Sequence, residues 1–160
     1  MTTPQASSPA ALARMRRQRR ADTTPELALR RELHRRGLRY RLHAPVVDRR
    51  RRHDIVFGSP KVVVEVRGCF WHGCPEHATS PKANAEWWAE KLRGNRRRDE
   101  DSARSLAAAG WTLVVVWEHE DPITAARRVQ AVVSRRRSRP RESKASRSPA
   151  LSLAGRPYPT

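Results

Sequence analysis

Both cysteines of this chain fall inside one ten-residue stretch, Gly68-Cys69-Phe70-Trp71-His72-Gly73-Cys74-Pro75-Glu76-His77, together with two histidines and two adjacent aromatics. Cys69, Cys74 and His77 are spaced with four residues and then two between them, which suits a tetrahedral metal site closed by a fourth ligand from elsewhere. His119 is the leading candidate for that ligand. A closed site of this kind dictates the local fold, because it holds Phe70, Trp71 and His72 on a rigid loop and turns them outward. A Cys69–Cys74 disulfide is the alternative, and the predicted reducing compartment favours thiolates.

Charge limits what such a loop would meet. Lys and Arg number 34 against 16 Asp and Glu, a formal charge of +18, well past what solubility requires. A polyanion is the natural partner, nucleic acid above all. No apolar run approaches the roughly 20 residues of a spanning helix, and no signal-peptide order of basic, apolar and small residues opens the chain. The expectation is a cytoplasmic, monomeric protein that meets no membrane. With 160 residues and 38% hydrophobic content, one core is expected.

Residues 1–13 read as a mobile segment, 14–133 as the domain, and 134–160 as a basic, disordered tail. The tail carries eight basic residues and one acid, so +11 of the charge belongs to residues 1–133. Within the domain, Thr24-Pro25-Glu26 predicts a helix start with Thr24 as N-cap, and Leu29 and Leu33 lie inward before Gly37 ends the helix. Leu38, Tyr40 and Leu42 alternate with arginines as a half-exposed strand. Asp54-Ile55-Val56-Phe57, a Gly58-Ser59-Pro60 turn and Lys61 to Val66 predict a hairpin whose second strand is central.

Residues 84 to about 109 favour helix, in two pieces broken near Gly94-Asn95 and closed by Gly110. Trp111 to Trp117 is an apolar strand. Pro122 opens a last helix through about Val133, with Ile123, Ala126, Val129 and Val132 or Val133 inward. This order implies an α/β fold, a mixed central sheet with flanking helices.

Asp54 and Glu65 belong to the two hairpin strands and can meet at one end of the sheet, where hard oxygen ligands suit magnesium. Arg67 follows two positions after Glu65, on the same face of the strand. Asp54, Glu65 and Arg67 resemble the Asp, Asp/Glu, Lys signature of the PD-(D/E)XK restriction-endonuclease-like nucleases, with Arg for Lys. Phosphodiester hydrolysis needs a base for the attacking water, and His72 is placed for that role, with a further zinc ligand as the alternative reading. Phe70 and Trp71 read as wedges that insert between base pairs, at least cost where a mismatch already weakens the stack. Trp87 and Trp88 read as packing residues, and His34, His43 and His53 as ordinary surface or helix positions. Arg49 to Arg52 form a basic approach to Asp54, either a phosphate contact or a solvated loop.

From Met15 to Glu120 the chain resembles the very short patch repair (Vsr) DNA mismatch endonucleases. The matching segments are Met15 with Asp22-Thr23-Thr24-Pro25-Glu26, His53-Asp54-Ile55-Val56-Phe57, the Cys/His loop, Trp88, Lys91, Asn95, Arg98-Asp99, and Gly110-Trp111 through Val116-Trp117-Glu118-His119. The resemblance implies a magnesium-dependent endonuclease that nicks one strand of double-stranded DNA beside the thymine of a T:G mismatch, the product of 5-methylcytosine deamination. It further implies a functional link to a DNA cytosine methyltransferase.

By the family pattern Asp54 holds Mg2+, His72 is the general base and Glu26 a supporting acid. Asn95 and Asp99 fall where the family's helix approaches the metal's waters and the mismatch. Lys91 matches a mismatch-contacting lysine, and Met15, Phe70 and Trp71 match intercalating residues. Cys69, Cys74, His77 and His119 would hold a structural Zn2+, the last where the family often has cysteine. Arg67 stands where the better-known members place a histidine and is assigned a DNA-phosphate role. His53 replaces a proline. The second inner contact to magnesium falls to Glu65 or to a backbone carbonyl near Val66.

Overall fold

The computed structural model describes residues 21–138. Met15, the segment 1–13 and the tail from 139 onward lie outside the described residues. Helix α1 (Thr24–Arg35) is followed by strands β1 (Arg41–Pro45), β2 (Arg52–Phe57) and β3 (Val62–Arg67). A single helical turn, α2 (Cys69–His72), leads to α3 (Ala85–Ala108), β4 (Thr112–Trp117) and α4 (Pro122–Ser138).

The four strands form one sheet in sequence order, antiparallel from β1 to β3 and parallel between β3 and β4. This is the expected mixed sheet. A parallel partner requires a crossover, and α2 with α3 supplies it. Strand β3 is paired on both sides, and its first three residues, Val62, Val63 and Val64, are fully buried, as a central strand demands. Even and odd positions separate two cores. Val62 and Val64 join Leu29 and Leu33 of α1, Ile55 and Phe57, and Ala126, Val129 and Val133 of α4. Val56 and Val63 meet Leu106 of α3 on the other face. Each Val, Leu, Ile or Phe among them stabilises by about 1.5–3 kcal/mol when fully buried.

Several boundaries differ from expectation for identifiable reasons. Thr23 rather than Thr24 is the N-cap of α1, its carbonyl accepting the Leu27 amide at 2.9 Å, while Pro25 lies in the first turn. Strand β1 begins only at Arg41, because Gly37 (φ 72°) and Leu38 are consumed by the helix end: Leu38 N–H returns to the Leu33 carbonyl at 3.1 Å and Gly37 N–H to His34 at 2.9 Å. Helix α3 is continuous through Gly94. One glycine costs a helix only about 1 kcal/mol, and the inward residues Leu92, Asn95, Asp99, Ser102 and Leu106 keep helical spacing across it.

Helix α4 runs to Ser138, five residues past its expected end. Ile123 is 42% exposed and Ala125 takes the inward place, since Asp121 caps the helix through the Thr124 amide and hydroxyl, each at 2.8 Å, and sets its rotation. Among the described residues no helix is long and apolar enough to cross a membrane.

Candidate active site and Cys/His cluster

The candidate side chains Asp54, His72 and the Cys/His set gather at the end of the sheet where β2 begins and β3 and β4 finish. Pairing between β2 and β3 stops at Ile55 opposite Val64. Beyond it the Asp54 side chain takes over the ladder's role, and its Oδ2 accepts the Val66 N–H at 2.8 Å. Burial pushes the Asp54 carboxyl up to about 6; the Val66 amide opposes the rise, and the charges of Glu26 and Glu65 reinforce it.

Glu26, in the first turn of α1, is 3% exposed. Its Oε2 accepts the Asp22 amide at 2.9 Å and its Oε1 the Arg30 Nη1 at 3.2 Å. His43 Nε2 stands 3.5 Å from Glu26 Oε1 and 3.7 Å from Asp22 Oδ1, without a hydrogen-bond partner. Asp22 and His43 both have left-handed backbones (φ 55° and 45°), a conformation that Asp and His tolerate better than most residues. Asp22, Glu26 and His43 bring their ligand atoms within 4.8 Å of one another, yet Arg30 already compensates the two acids. Arg30, through its hydrogen bond, holds the Asp22 carboxyl below its ordinary range.

Glu65 is committed elsewhere. Its Oε1 lies 2.9 Å from His53 Nδ1, and its Oε2 accepts from Arg67 Nε at 3.2 Å and Nη2 at 2.8 Å. Burial alone would raise this carboxyl, but the hydrogen bonds from His53 and Arg67 leave it below its usual range. Both oxygens are thereby engaged, unlike the free carboxylate that coordination of magnesium would want.

The Cys/His loop crosses this end of the sheet. Glu118, just past β4, accepts the Cys69 amide through Oε1 at 2.7 Å and so pins the start of α2. Gly73 (φ 66°) then reverses the chain in a conformation that glycine enters without strain, and the Cys74 amide returns to the Cys69 carbonyl at 3.0 Å. Cys69, Cys74, His77 and His119 come together with all ligand atoms within 4.8 Å of one another. Cys69 Sγ lies 3.1 Å and Cys74 Sγ 3.7 Å from His119 Nδ1, and Cys74 Sγ lies 3.9 Å from His77 Nδ1. A tetrahedral zinc site with ordinary bond lengths separates S and N donors by roughly 3.6 Å, so the donor set and its spacing fit that ion. Burial, the Cys74 thiol and Glu118 push the Cys69 thiol up to about 11, a group that a bound cation would ionise.

Between these centres lies His72. Its Nδ1 is 2.7 Å from Asp99 Oδ2 on α3. A carboxylate only accepts, so Nδ1 carries the hydrogen, which in the neutral imidazole leaves the lone pair on Nε2. One turn earlier Asn95 Nδ2 donates to the Trp71 carbonyl at 2.9 Å, and its Oδ1 accepts from Arg98. Phe70 and Trp71 are half-buried and pack edge-on at 5.1 Å; both touch Trp88, at 5.3 and 5.8 Å, which in turn meets Trp87 at 4.9 Å. Lys91 is exposed on the same helix. Arg49, Arg50 and Arg52 are exposed in and beside the loop before β2, with Arg52 Nη1 on the His43 carbonyl at 3.0 Å.

Sequence reasoning passed over His43 and His53. His53 is 4% exposed and bonded to Glu65, and His43 points at Glu26; neither is an ordinary surface residue. The basic flank Arg49 to Arg52 drew the eye instead, and only strand pairing, with Leu42 opposite Ile55 and Ala44 opposite His53, brings His43 across from Asp54.

By sequence, the chain is similar to proteins described as DNA mismatch endonucleases and nicking enzymes. The sequence model of the DNA mismatch endonuclease Vsr matches residues 9–77. The Type II nicking enzyme V.NaeI of Lentzea aerocolonigenes is 44% identical over 110 residues, covering 67% of this chain and 66% of the relative. The Type II nicking enzyme V.XorIIP of Xanthomonas oryzae pv. oryzae is 43% identical over 108 residues, 66% of this chain and 77% of its own length. The DNA mismatch endonuclease Vsr of Escherichia coli is 34% identical over 68 residues, 42% of this chain and 44% of that protein. The chain belongs to the Vsr family.

Proposed function

We propose that this protein is a magnesium-dependent endonuclease that nicks one strand of double-stranded DNA beside the thymine of a T:G mismatch. The observation that carries the reading is Asp54, a carboxylate held at the open end of the sheet with its pKa pushed up to about 6, next to the buried acid Glu26. Burying a negative charge beside other acids is costly unless a cation joins it. Magnesium bound there would neutralise charge on the scissile phosphate and help water attack it.

The chain's own residues supply the rest. Asp54 is oriented by the Val66 amide, and Glu26 by Arg30 and the Asp22 amide. His72, its Nδ1 on Asp99, offers Nε2 to take the proton of the attacking water. As the water oxygen bonds to phosphorus the P–O3′ bond breaks and O3′ takes a proton from solvent, leaving a 5′ phosphate and a 3′ hydroxyl. Phe70 and Trp71 enter the stack beside the mismatch, with Met15 expected to do so from the other side. Lys91 and Asn95 face the mispaired bases, and Arg49 to Arg52 contact phosphates. Cys69, Cys74, His77 and His119 hold a structural zinc, apart from the reaction. A DNA cytosine methyltransferase is the fitting functional partner, because its product is the source of such mismatches.

A T:G duplex and its matched C:G counterpart, incubated with the zinc-loaded protein and magnesium, test the proposal. Nicking of the T:G duplex alone is expected. Equal nicking of both would remove the mismatch specificity. Binding without cleavage over a range of divalent metals would leave a DNA-binding module instead.

A further inference from the structure

Besides the groups that the proposed reaction uses directly, three polar side chains form a line ending on one that it does use. His53 on β2 is 4% exposed and places Nδ1 2.9 Å from Glu65 Oε1. Glu65 Oε2 holds one edge of the Arg67 guanidinium, at 3.2 Å from Nε and 2.8 Å from Nη2. The other edge, Nη1, stands 3.7 Å from Asp99 Oδ2, the oxygen that also takes His72 Nδ1 at 2.7 Å. We propose that His53, Glu65 and Arg67 are positioning residues, a strut that fixes Asp99 and through it orients the imidazole of His72. This rests on the reading of His72 as the base.

The strut starts from rigid backbone. Arg67 is the last residue of β3, opposite Trp117 in the parallel ladder, and its carbonyl accepts the Glu118 amide at 3.0 Å. Glu65 sits two residues earlier on the same strand, so its place relative to Arg67 is set by the pleat. Asp99, by contrast, belongs to α3, an element joined to the sheet by the crossover. A guanidinium is planar and can face two carboxylates with opposite edges, whereas an ammonium is a point charge that favours one at a time. Side-chain exposure of 13% for Arg67, 17% for Glu65 and 18% for Asp99 keeps solvent from screening these contacts.

His53 completes the line by occupying the second Glu65 oxygen, so that both oxygens of the carboxylate are held. A misplacement of about 1 Å at a catalytic group can cost on the order of a hundredfold in rate. The strut therefore acts on turnover and leaves DNA affinity alone.

Glu65→Gln keeps the shape and removes the charge that holds Arg67. Single-turnover nicking of the T:G duplex should lose tenfold to about a hundredfold in kcat, with KM within about twofold of the parent. Arg67→Lys should lose as much. Glu65→Gln combined with Arg67→Met should be no slower than Arg67→Met alone, since both break one line. His53→Asn, whose amide can replace Nδ1 as donor, should restore most of what His53→Ala loses.

The deciding readout is the imidazole 15N spectrum of zinc-loaded, DNA-free protein, which reports where the His72 hydrogen resides whether or not the chain cuts any duplex. The Nδ1–H form is expected in the parent and in His53→Asn, and a mixture of tautomers in Glu65→Gln and Arg67→Lys. A His72 spectrum unchanged in Glu65→Gln and Arg67→Lys would overturn the strut, as would kcat within about twofold of the parent alongside a lowered Tm. Failure of the parent to nick a mismatch, with the spectral change present, would count against His72 as the base and not against the strut.

Discussion

The Cys/His cluster and the Asp54 centre lie at the same end of one sheet and are built in opposite ways. In the cluster two buried thiols and two histidines converge on a common point with few competing partners, and their mutual distances already suit a four-coordinate ion. Around Asp54 the acids are spoken for: Glu26 by Arg30 and the Asp22 amide, Glu65 by His53 and Arg67, and Asp54 itself by a single backbone amide. A closed donor set suits a metal that holds the fold together. A single under-compensated carboxylate suits one that must leave room for waters and a phosphate. On the proposed reading, the reaction centre is the one whose carboxylate is held by a single backbone amide.

That contrast predicts effects of different kind and size. Cys74→Ser should strip the proposed zinc and lower stability by several kcal/mol, with Tm falling by more than about 10 °C in calorimetry. Retention of the parent Tm with no metal bound would make the cluster dispensable. His72→Ala should lower kcat by about a hundredfold to ten-thousandfold while leaving metal content by mass spectrometry at the parent level. Loss of zinc on that substitution would move His72 from the reaction into the scaffold.

Asp54 should behave in the opposite sense to Cys74. Its folded pKa of about 6 lies above the ordinary 3.8, so its favourable contribution is complete below 3.8 and is lost as pH rises through 6. Asp54→Asn should accordingly stabilise the magnesium-free, zinc-loaded protein at pH 8 by up to about 3 kcal/mol, and the gain should vanish near pH 4. Urea titrations at the two pH values measure it, and a destabilised variant at pH 8 would refute the burial argument. The smallest effect is expected from the basic loop: Arg50→Ala should weaken DNA binding evenly across sequences and reduce the salt slope by about 1.

What was legible in the chain follows the range of the interactions. The β2–β3 hairpin could be read because its apolar runs flank Gly58-Ser59-Pro60, and Lys61 closes that turn with φ 52°. Gly37 and Gly110 marked helix ends where the left-handed backbone needs them. The cysteine spacing brought three of the four clustered side chains together within ten residues, and His119, the leading candidate for the fourth, joins them in the structure. His53, His43 and Asp99 could not be weighed in the same way. Their partners lie 12, 17 and 27 residues away and meet only after strand register and the rotation of α3 are set. Gly94 misled for the converse reason, since a local helix penalty of about 1 kcal/mol is overridden by packing along the rest of a 24-residue helix.

The division between a scaffold metal and a reaction centre is tested most directly by the rate at which zinc-loaded Asp54→Asn nicks a T:G duplex in magnesium, measured beside the parent at equal zinc content. The parent should nick, and the variant should fall by several kcal/mol of barrier, on the order of a thousandfold or more. Nicking by Asp54→Asn at the parent rate would contradict the account, because the reaction would then not depend on the carboxylate at the open end of the sheet.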